Sequence, residues 1–477
     1  MRFTPTRPFS KMSSPATESA DVLSQSRRLP TIGGPIFALT VLFLMNLLNY
    51  IDRYSFFAVG VDIKKSFDIN DYWYGWLAVA FMVVYTVVSP VMGWLGDRYD
   101  RRVLLASGVA LWSLATVGSA FSYDYYHMAF WRSLLGVGEA SYGVIAPALI
   151  ADLFPVEKRG KAMGVYYLAL PLGGALGFGL GGWIGQHWGW SRAFLVVGLP
   201  GLLAAAAGLL IHDPGRGASE DGRVAGKADR PRMADYAKLF TIPTFVLNTI
   251  GMAAVTFATG AYAAYGANFY QTVRGMSMSQ ATAWIGAMTA VAGLLGIVLG
   301  TGLADFGTRF TRRSYLLLAA LVTAAAVPLA IYAILDDKSV GSLTMLFGAM
   351  VLLSMVLGPC NTVIANVVPA NKRASGFAVY IFLIHVFGDI TSPVLLGWIS
   401  TYFGRPTVAD SWLGFLFASV GANPVGDENL TVAMLAVAPV LAIGAFFFLL
   451  GSRHLPDDQM RVIEAGGHAE GPAAVPH

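Results

Sequence analysis

The feature that most constrains this chain is its series of long apolar runs almost empty of charge. They lie at roughly 35–61, 73–96, 103–122, 127–154, 161–186 and 192–212, and again at 242–270, 279–304, 314–335, 342–368, 375–402 and 430–452. About 20 helical residues cross the ~30 Å hydrocarbon core of a bilayer. Hydrophobic residues make up 56% of the 477 and charged residues 13%, against about 45–50% and about 25% in soluble domains. So few charges cannot clothe a water-soluble surface of this size, so the expected fold is an all-α membrane protein with twelve transmembrane helices.

Charge placement orients them. With both termini on the cytoplasmic side, the tails and cytoplasmic connections hold 24 Lys and Arg. The opposite side holds Lys64, Lys65, Arg192, Arg274, Lys338 and Arg405, and two more, Arg53 and Arg132, lie within spans. This bias places both termini in the cytoplasm and requires an even number of spans. It also accounts for the net charge of +4, so nucleic acid is not needed as a partner. The expected organisation is a disordered cytoplasmic N-tail (1–33), a six-helix bundle (34–212), a cytoplasmic linker (213–240), a second bundle (241–454) and a disordered C-tail (455–477). The N-tail is not a secretory signal, because the first apolar run starts too late and is too long. The short apolar stretch 409–420 reads as an interfacial helix or an extension of a neighbouring span. Cys360 is the single cysteine, which excludes a disulfide framework and a cysteine metal site.

The halves repeat. Gly93-Trp94-Leu95-Gly96-Asp97 precedes Arg98, Arg101 and Arg102, and Thr301-Gly302-Leu303-Ala304-Asp305 precedes Arg309, Arg312 and Arg313. Pro155-Val156-Glu157-Lys158-Arg159 matches Pro369-Ala370-Asn371-Lys372-Arg373. Two landmark pairs in the same order indicate a duplicated six-helix unit, with a substrate path between pseudo-symmetric halves near the midplane.

These loops resemble the major facilitator superfamily. Gly93-x-Leu95-x-Asp97-Arg98-x-x-Arg101-Arg102 is similar to its signature loop, with Asp100 standing where a glycine is usual, and Arg132-x-x-x-Gly136-x-Gly138 is similar to a second motif. Within the superfamily, Asn49-Tyr50-Ile51-Asp52-Arg53-Tyr54, Gly136-Val137-Gly138-Glu139-Ala140 and His385-Val386-Phe387-Gly388-Asp389-Ile390-Thr391-Ser392-Pro393 resemble the Spinster branch. The resemblance implies a monomeric, proton-coupled transporter of amphiphilic lipid, lysophospholipid or sphingosine-1-phosphate-like, working by alternating access. In a bacterium it would sit in the inner (plasma) membrane.

An ionised side chain in mid-span costs at least about 2.5 kcal/mol, so each needs a partner or a wet cavity. Asp52 and Arg53 diverge by about 100° around span one and must find separate partners. The resemblance places spans one and four on the central cavity, so Arg53 is expected to approach Glu139 there, with Asp52 and Glu139 as the proton-coupling pair. A fixed ion pair holding two helices is the bland alternative. Arg132 reads equally as a packing residue or an anionic headgroup contact. His385 and Asp389 are spaced to touch on one helical face, either as an interhelical hydrogen bond or as a second proton-responsive element. Tyr54 belongs to the aromatics that could line an amphiphile's chain.

For Gly93, Asp97, Arg98, Arg101 and Arg102 the resemblance implies a cytoplasmic gate. In it Asp97 would cap the N-terminus of span eleven, where orphan amides favour a carboxylate. Gly173, Gly177, Gly181 and Gly185 form a smooth stripe for close helix packing, and Pro171 and Pro393 are candidate kinks. Gly177-Phe178-Gly179 is no nucleotide motif, since no strand precedes it. The sequence offers no metal cluster and no nucleophile with its base, so neither an enzyme nor a cofactor is expected. A transporter of a small organic anion or a multidrug exporter remains the alternative function.

Overall fold

The computed structural model describes residues 34–96, 98–215, 237–369 and 373–467. The N-tail, most of the linker, the end of the C-tail and Asp97 lie outside the described residues. Twelve helices there are long and apolar enough to cross a membrane. Spans one to six are Pro35–Ala58, Asp71–Gly96, Arg101–Ser119, Tyr125–Leu153, Lys161–Trp188 and Trp190–Gly208. Spans seven to twelve are Pro243–Thr272, Met278–Gly307, Ser314–Leu335, Ser339–Val367, Gly376–Gly404 and Leu430–Val462.

One buried core, with Leu42, Trp112 and Leu149, lies within the first half. The other fills the second half around Phe245, Leu353 and Phe448, and reaches across to Phe56, Phe178 and Phe194 of the first. Small residues set the helix spacing. On span five, a Cβ at Gly177 would lie 2.6 Å from the Ile51 carbonyl oxygen and 2.8 Å from Tyr54 Cβ. Gly173, Gly181 and Gly185 meet Tyr50, Ser55 and Val59 in turn. The stripe is the groove in which span one lies, and it presses the segment holding Asp52 and Arg53 against span five.

Four spans are broken, each three residues before a proline. The breaks fall at Leu168, Val356, Ile390 and Ala436, ahead of Pro171, Pro359, Pro393 and Pro439. Proline lacks an amide for the carbonyl four residues back, and the chain turns there instead. At Ile390 the amide reaches back to the His385 carbonyl. Pro90, Pro147, Pro200 and Pro328 leave their helices continuous, so proline permits a break and packing decides it.

One expectation is corrected and one choice between alternatives is made. The C-tail does not become irregular at 455: the last helix continues to Gly467. Leu455 and Asp458 are buried, and Asp458 accepts from the Thr244 amide at 3.0 Å, capping span seven. The stretch 409–420 is a separate short helix, Trp412–Ser419, with Trp412 and Phe415 exposed.

Candidate functional site

The site lies where the two halves face each other near mid-span. Arg53 Nη2 donates to Glu139 Oε2 at 2.5 Å, joining spans one and four. Its guanidinium lies 4.6 Å from the Phe81 ring centre and 5.3 Å from that of Tyr50. Asp52 turns away into the first half, buried, and accepts from the Thr116 hydroxyl of span three, while its Oδ1 has no hydrogen-bond partner among the described residues. Arg132 is also buried, and none of its guanidinium nitrogens has a hydrogen-bond partner among the described residues. It is sandwiched instead between aromatic faces, 4.3 Å from Phe56 and 5.0 Å from Phe81. Cation–π contact of this kind supplies about 2 kcal/mol when desolvated, which falls short of an ion pair. The buried mid-span set of the first half thus holds two acids and two guanidiniums, with Glu139 paired to Arg53, Asp52 accepting from Thr116, and Arg132 without a hydrogen-bonded acid among the described residues.

Arg53 opens onto a cavity of about 120 Å³ shared by both halves. Tyr54, Phe81 and Met82 line it from one side, and Thr259, Gly260, Asp389 and Pro393 from the other. Across it, His385 Nδ1 lies 2.9 Å from Asp389 Oδ1, and the break at Ile390 carries this pair at the mouth of the second half. One wall therefore offers a guanidinium and the other the Asp389 carboxylate, itself bonded to His385, with aromatic surface between. The larger hollow among Trp284, Val291 and Phe347 is lined by uncharged residues.

The loop residues separate by role. Asp97 and the start of the span-eleven connection, 370–372, fall outside the described residues, and with them the expected latch. Gly93 faces Val144 of span four at ordinary contact distance. Arg98 is exposed and stacks on Trp94 at 4.1 Å. Arg101 is buried and bridges Asp152, at 2.6 Å, and Asp213, tying together the ends of spans three, four and six. Burial opposes the Asp213 charge, but Arg101 and the Gly215 amide hold its carboxyl below the usual carboxylate range. Asp100 replaces the usual glycine without strain. At φ −63° it caps span three by accepting from the Arg102 amide, and its hydrogen bonds with Arg102 keep it ionised below the ordinary range.

Sequence reasoning missed the other end of the molecule. Between described residues, the hydrogen bonds joining the halves lie away from the termini. Tyr265 of span seven donates to the Asp71 carbonyl at 2.8 Å. Ser400 of span eleven donates to Asp71 Oδ2 at 2.6 Å, and Lys64 bridges Asp71 and Glu428 at 2.6 and 2.7 Å. Gly75 lies directly against the Pro393 backbone. Lys64 had counted only as a loop charge, and Asp71 and Glu428 sit at the edges of apolar runs. No spacing links Lys64 to a residue 364 positions away.

Residues 42–393 match the Major Facilitator Superfamily. The chain is 32% identical to mouse Protein spinster homolog 1 over 92% of its own length and 85% of that protein's. It is 31% identical to the zebrafish Sphingosine-1-phosphate transporter SPNS2, covering 89% of this chain and 85% of that one. Its fold is similar to the crystal structure of a bacterial homolog of the human lysosomal transporter Spinster in an inward-facing and occupied conformation. The TM-score is 0.76 at 25% identity, covering 88% of this chain and 97% of that one.

Proposed function

Because the chain belongs to the Spinster family of the major facilitator superfamily, and is thus a multi-pass membrane transporter, we propose that it moves an amphiphilic, anionic lipid in exchange for or together with protons. The observation that carries this reading is the buried charge set behind the cavity's first wall: Arg53, which lines the cavity, engaged by Glu139, and beyond it Asp52 with one oxygen, and Arg132 with its whole guanidinium, lacking a hydrogen-bond partner among the described residues. Buried charges of this kind add little stability by themselves, and a proton on a carboxylate or an entering anion changes which of them pair.

In the proposed cycle an anionic headgroup approaches Arg53 from the cavity and competes with Glu139, while the chain of the amphiphile lies along Tyr54, Phe57 and Phe81. Glu139, once released, takes up a proton together with Asp52. Return of the proton restores the Arg53 pair and expels the headgroup. His385 and Asp389 on the facing wall respond to the same change through the cavity. The moving units are the bundles 34–212 and 241–454, joined by the linker 213–240, and the protein acts as a monomer with both termini in the cytoplasm. The contacts at the far end and the cavity between the halves support a state closed on the outside and open to the cytoplasm. The loop of Gly93, Asp97, Arg98, Arg101 and Arg102 is proposed to act as the cytoplasmic gate, closing that end when the halves rock.

The relative named for sphingosine-1-phosphate transport supports a lipid phosphate as cargo. A thermal-stability screen of the purified protein with lysophospholipids, sphingosine-1-phosphate, small organic anions, sugars and cationic drugs tests this. Selective stabilisation by the phosphorylated amphiphiles is expected; a response confined to sugars or cationic drugs rejects the reading.

A further inference from the structure

The end of the molecule remote from the termini carries a second charge cluster that the cavity chemistry does not use. Lys64 lies on a short helix, Gly60–Phe67, between spans one and two. Its ammonium is buried and meets Asp71 Oδ1 at 2.6 Å and Glu428 Oε2 at 2.7 Å. Asp71 begins span two, in the first half. Glu428 belongs to the second half, on a tight turn closed by the Val425–Glu428 bridge. The other Glu428 oxygen accepts from the Asp71 amide at 2.6 Å, so a side chain of one half caps a helix of the other. The Asn429 amide in turn binds the Ser400 carbonyl, fixing the turn to span eleven, and Ser400 reaches back to Asp71.

We propose that Lys64, Asp71 and Glu428 form the latch of the outer gate, in which one lysine, shared by an acid from each half, decides whether the halves can close at this end. The argument is one of charge. Two carboxylates reach a single ammonium within hydrogen-bond distance and therefore crowd each other. With Lys64 present the cluster has one excess negative charge; without it, two acids face each other, Asp71 fully buried and Glu428 24% exposed. Like charges at such range disfavour joint ionisation strongly. Opening separates Glu428 from the other two and relieves that repulsion, so closure depends on the lysine.

The titratable groups facing Glu428 are Lys64 on the short helix, Asp71 on span two and, further in, Tyr265 on span seven. Asp62 and Lys65 face a separate hollow with Gln271. Burial and then the Asp71 charge raise Glu428 above its ordinary value, and Lys64 pulls it back. Burial works against the Lys64 charge, but the two acids outweigh it. The sign follows: the closed state binds a proton on Glu428 more tightly than the open one, so acid favours closure here.

The test uses spin labels at Tyr123→Cys and Val340→Cys, exposed positions on the outer ends of the two halves, in a Cys360→Ala background, with distances measured in nanodiscs. At pH 7.5 Lys64→Gln is expected to raise the long-distance population relative to the short one by about tenfold. Adding Glu428→Gln, whose carboxamide can donate to Asp71, restores the short distance, as does lowering the pH of Lys64→Gln to 5. A Lys64→Gln protein that keeps the parent distances, or one that Glu428→Gln fails to reclose, overturns the latch. If Lys64→Gln alone does not fold, recovery of monodisperse protein by Glu428→Gln is the same rescue, and its failure the same refutation.

Discussion

Replacing Glu139 by Gln tests whether the central ion pair is energetically coupled. In the structure Arg53 Nη2 and Glu139 Oε2 are 2.5 Å apart, with the Glu139 side chain 2% and that of Arg53 20% exposed. Two unit charges about 4 Å apart interact by about 4 kcal/mol at an effective dielectric constant of 20. The partial exposure of Arg53 to the cavity screens this to about 2 kcal/mol. Glu139→Gln leaves a neutral acceptor beside a still-buried guanidinium, so most of that amount is lost. Arg53→Gln removes the other partner, and the double variant removes both. Reversible unfolding in mixed micelles then yields a coupling energy from the four proteins, expected at about 2 kcal/mol in favour of the pair. A coupling energy indistinguishable from zero refutes the reasoning, because the pair would then be a coincidence of packing. The same variants assayed in proteoliposomes separate structure from mechanism: a purely structural pair lowers stability and leaves the proton dependence of transport intact.

Asp52→Asn is expected to abolish proton-driven accumulation while leaving ligand-induced stabilisation intact; full coupling in that variant would sink the proposed role of Asp52. Gly177→Leu places side-chain atoms where Ile51 and Tyr54 already are and is expected to cost at least about 1–3 kcal/mol, whereas Gly164→Ala, with open space around its Cβ, is expected to be neutral or stabilising by thermal melt. Asp100→Ala removes the cap of span three and is expected to cost about 1 kcal/mol, read in the same melt. The Arg101–Asp213 contact stabilises the fold wherever Asp213 would be ionised in the unfolded chain, that is above about pH 4. Since the folded carboxyl is held lower still, the contact fades only as pH falls through that lower value, so the destabilisation caused by Arg101→Gln should be constant between pH 8 and 6.

Much of the cavity was legible from residues because hydrocarbon makes charge conspicuous. Asp52, Arg53, Arg132, Glu139, His385 and Asp389 stand out in any apolar run, and helical spacing alone brings His385 to Asp389. Which partner each charge takes was not legible in the same way. Arg132 reads as a headgroup ligand or a packing residue, and only the tertiary arrangement shows it lying between Phe56 and Phe81 without a polar contact. The loop aspartate at 100 looked like a departure from a turn; in space it is a helix cap. The last helix runs on past 455 because Asp458 finds the amide of Thr244, a partner 214 residues away.

The sequence by itself determined that this chain crosses a membrane twelve times in two related halves. That follows from local quantities: run length, charge density and the recurrence of short loop patterns, each fixed by what a bilayer tolerates within one segment. The tertiary structure alone decided where, among the described residues, hydrogen bonds join the two halves. Lys64, Asp71, Ser400 and Glu428 come from four separate segments, and each is unremarkable in its own. Their meaning lies in a contact between halves, and a contact between surfaces that part and rejoin leaves no periodicity in either one.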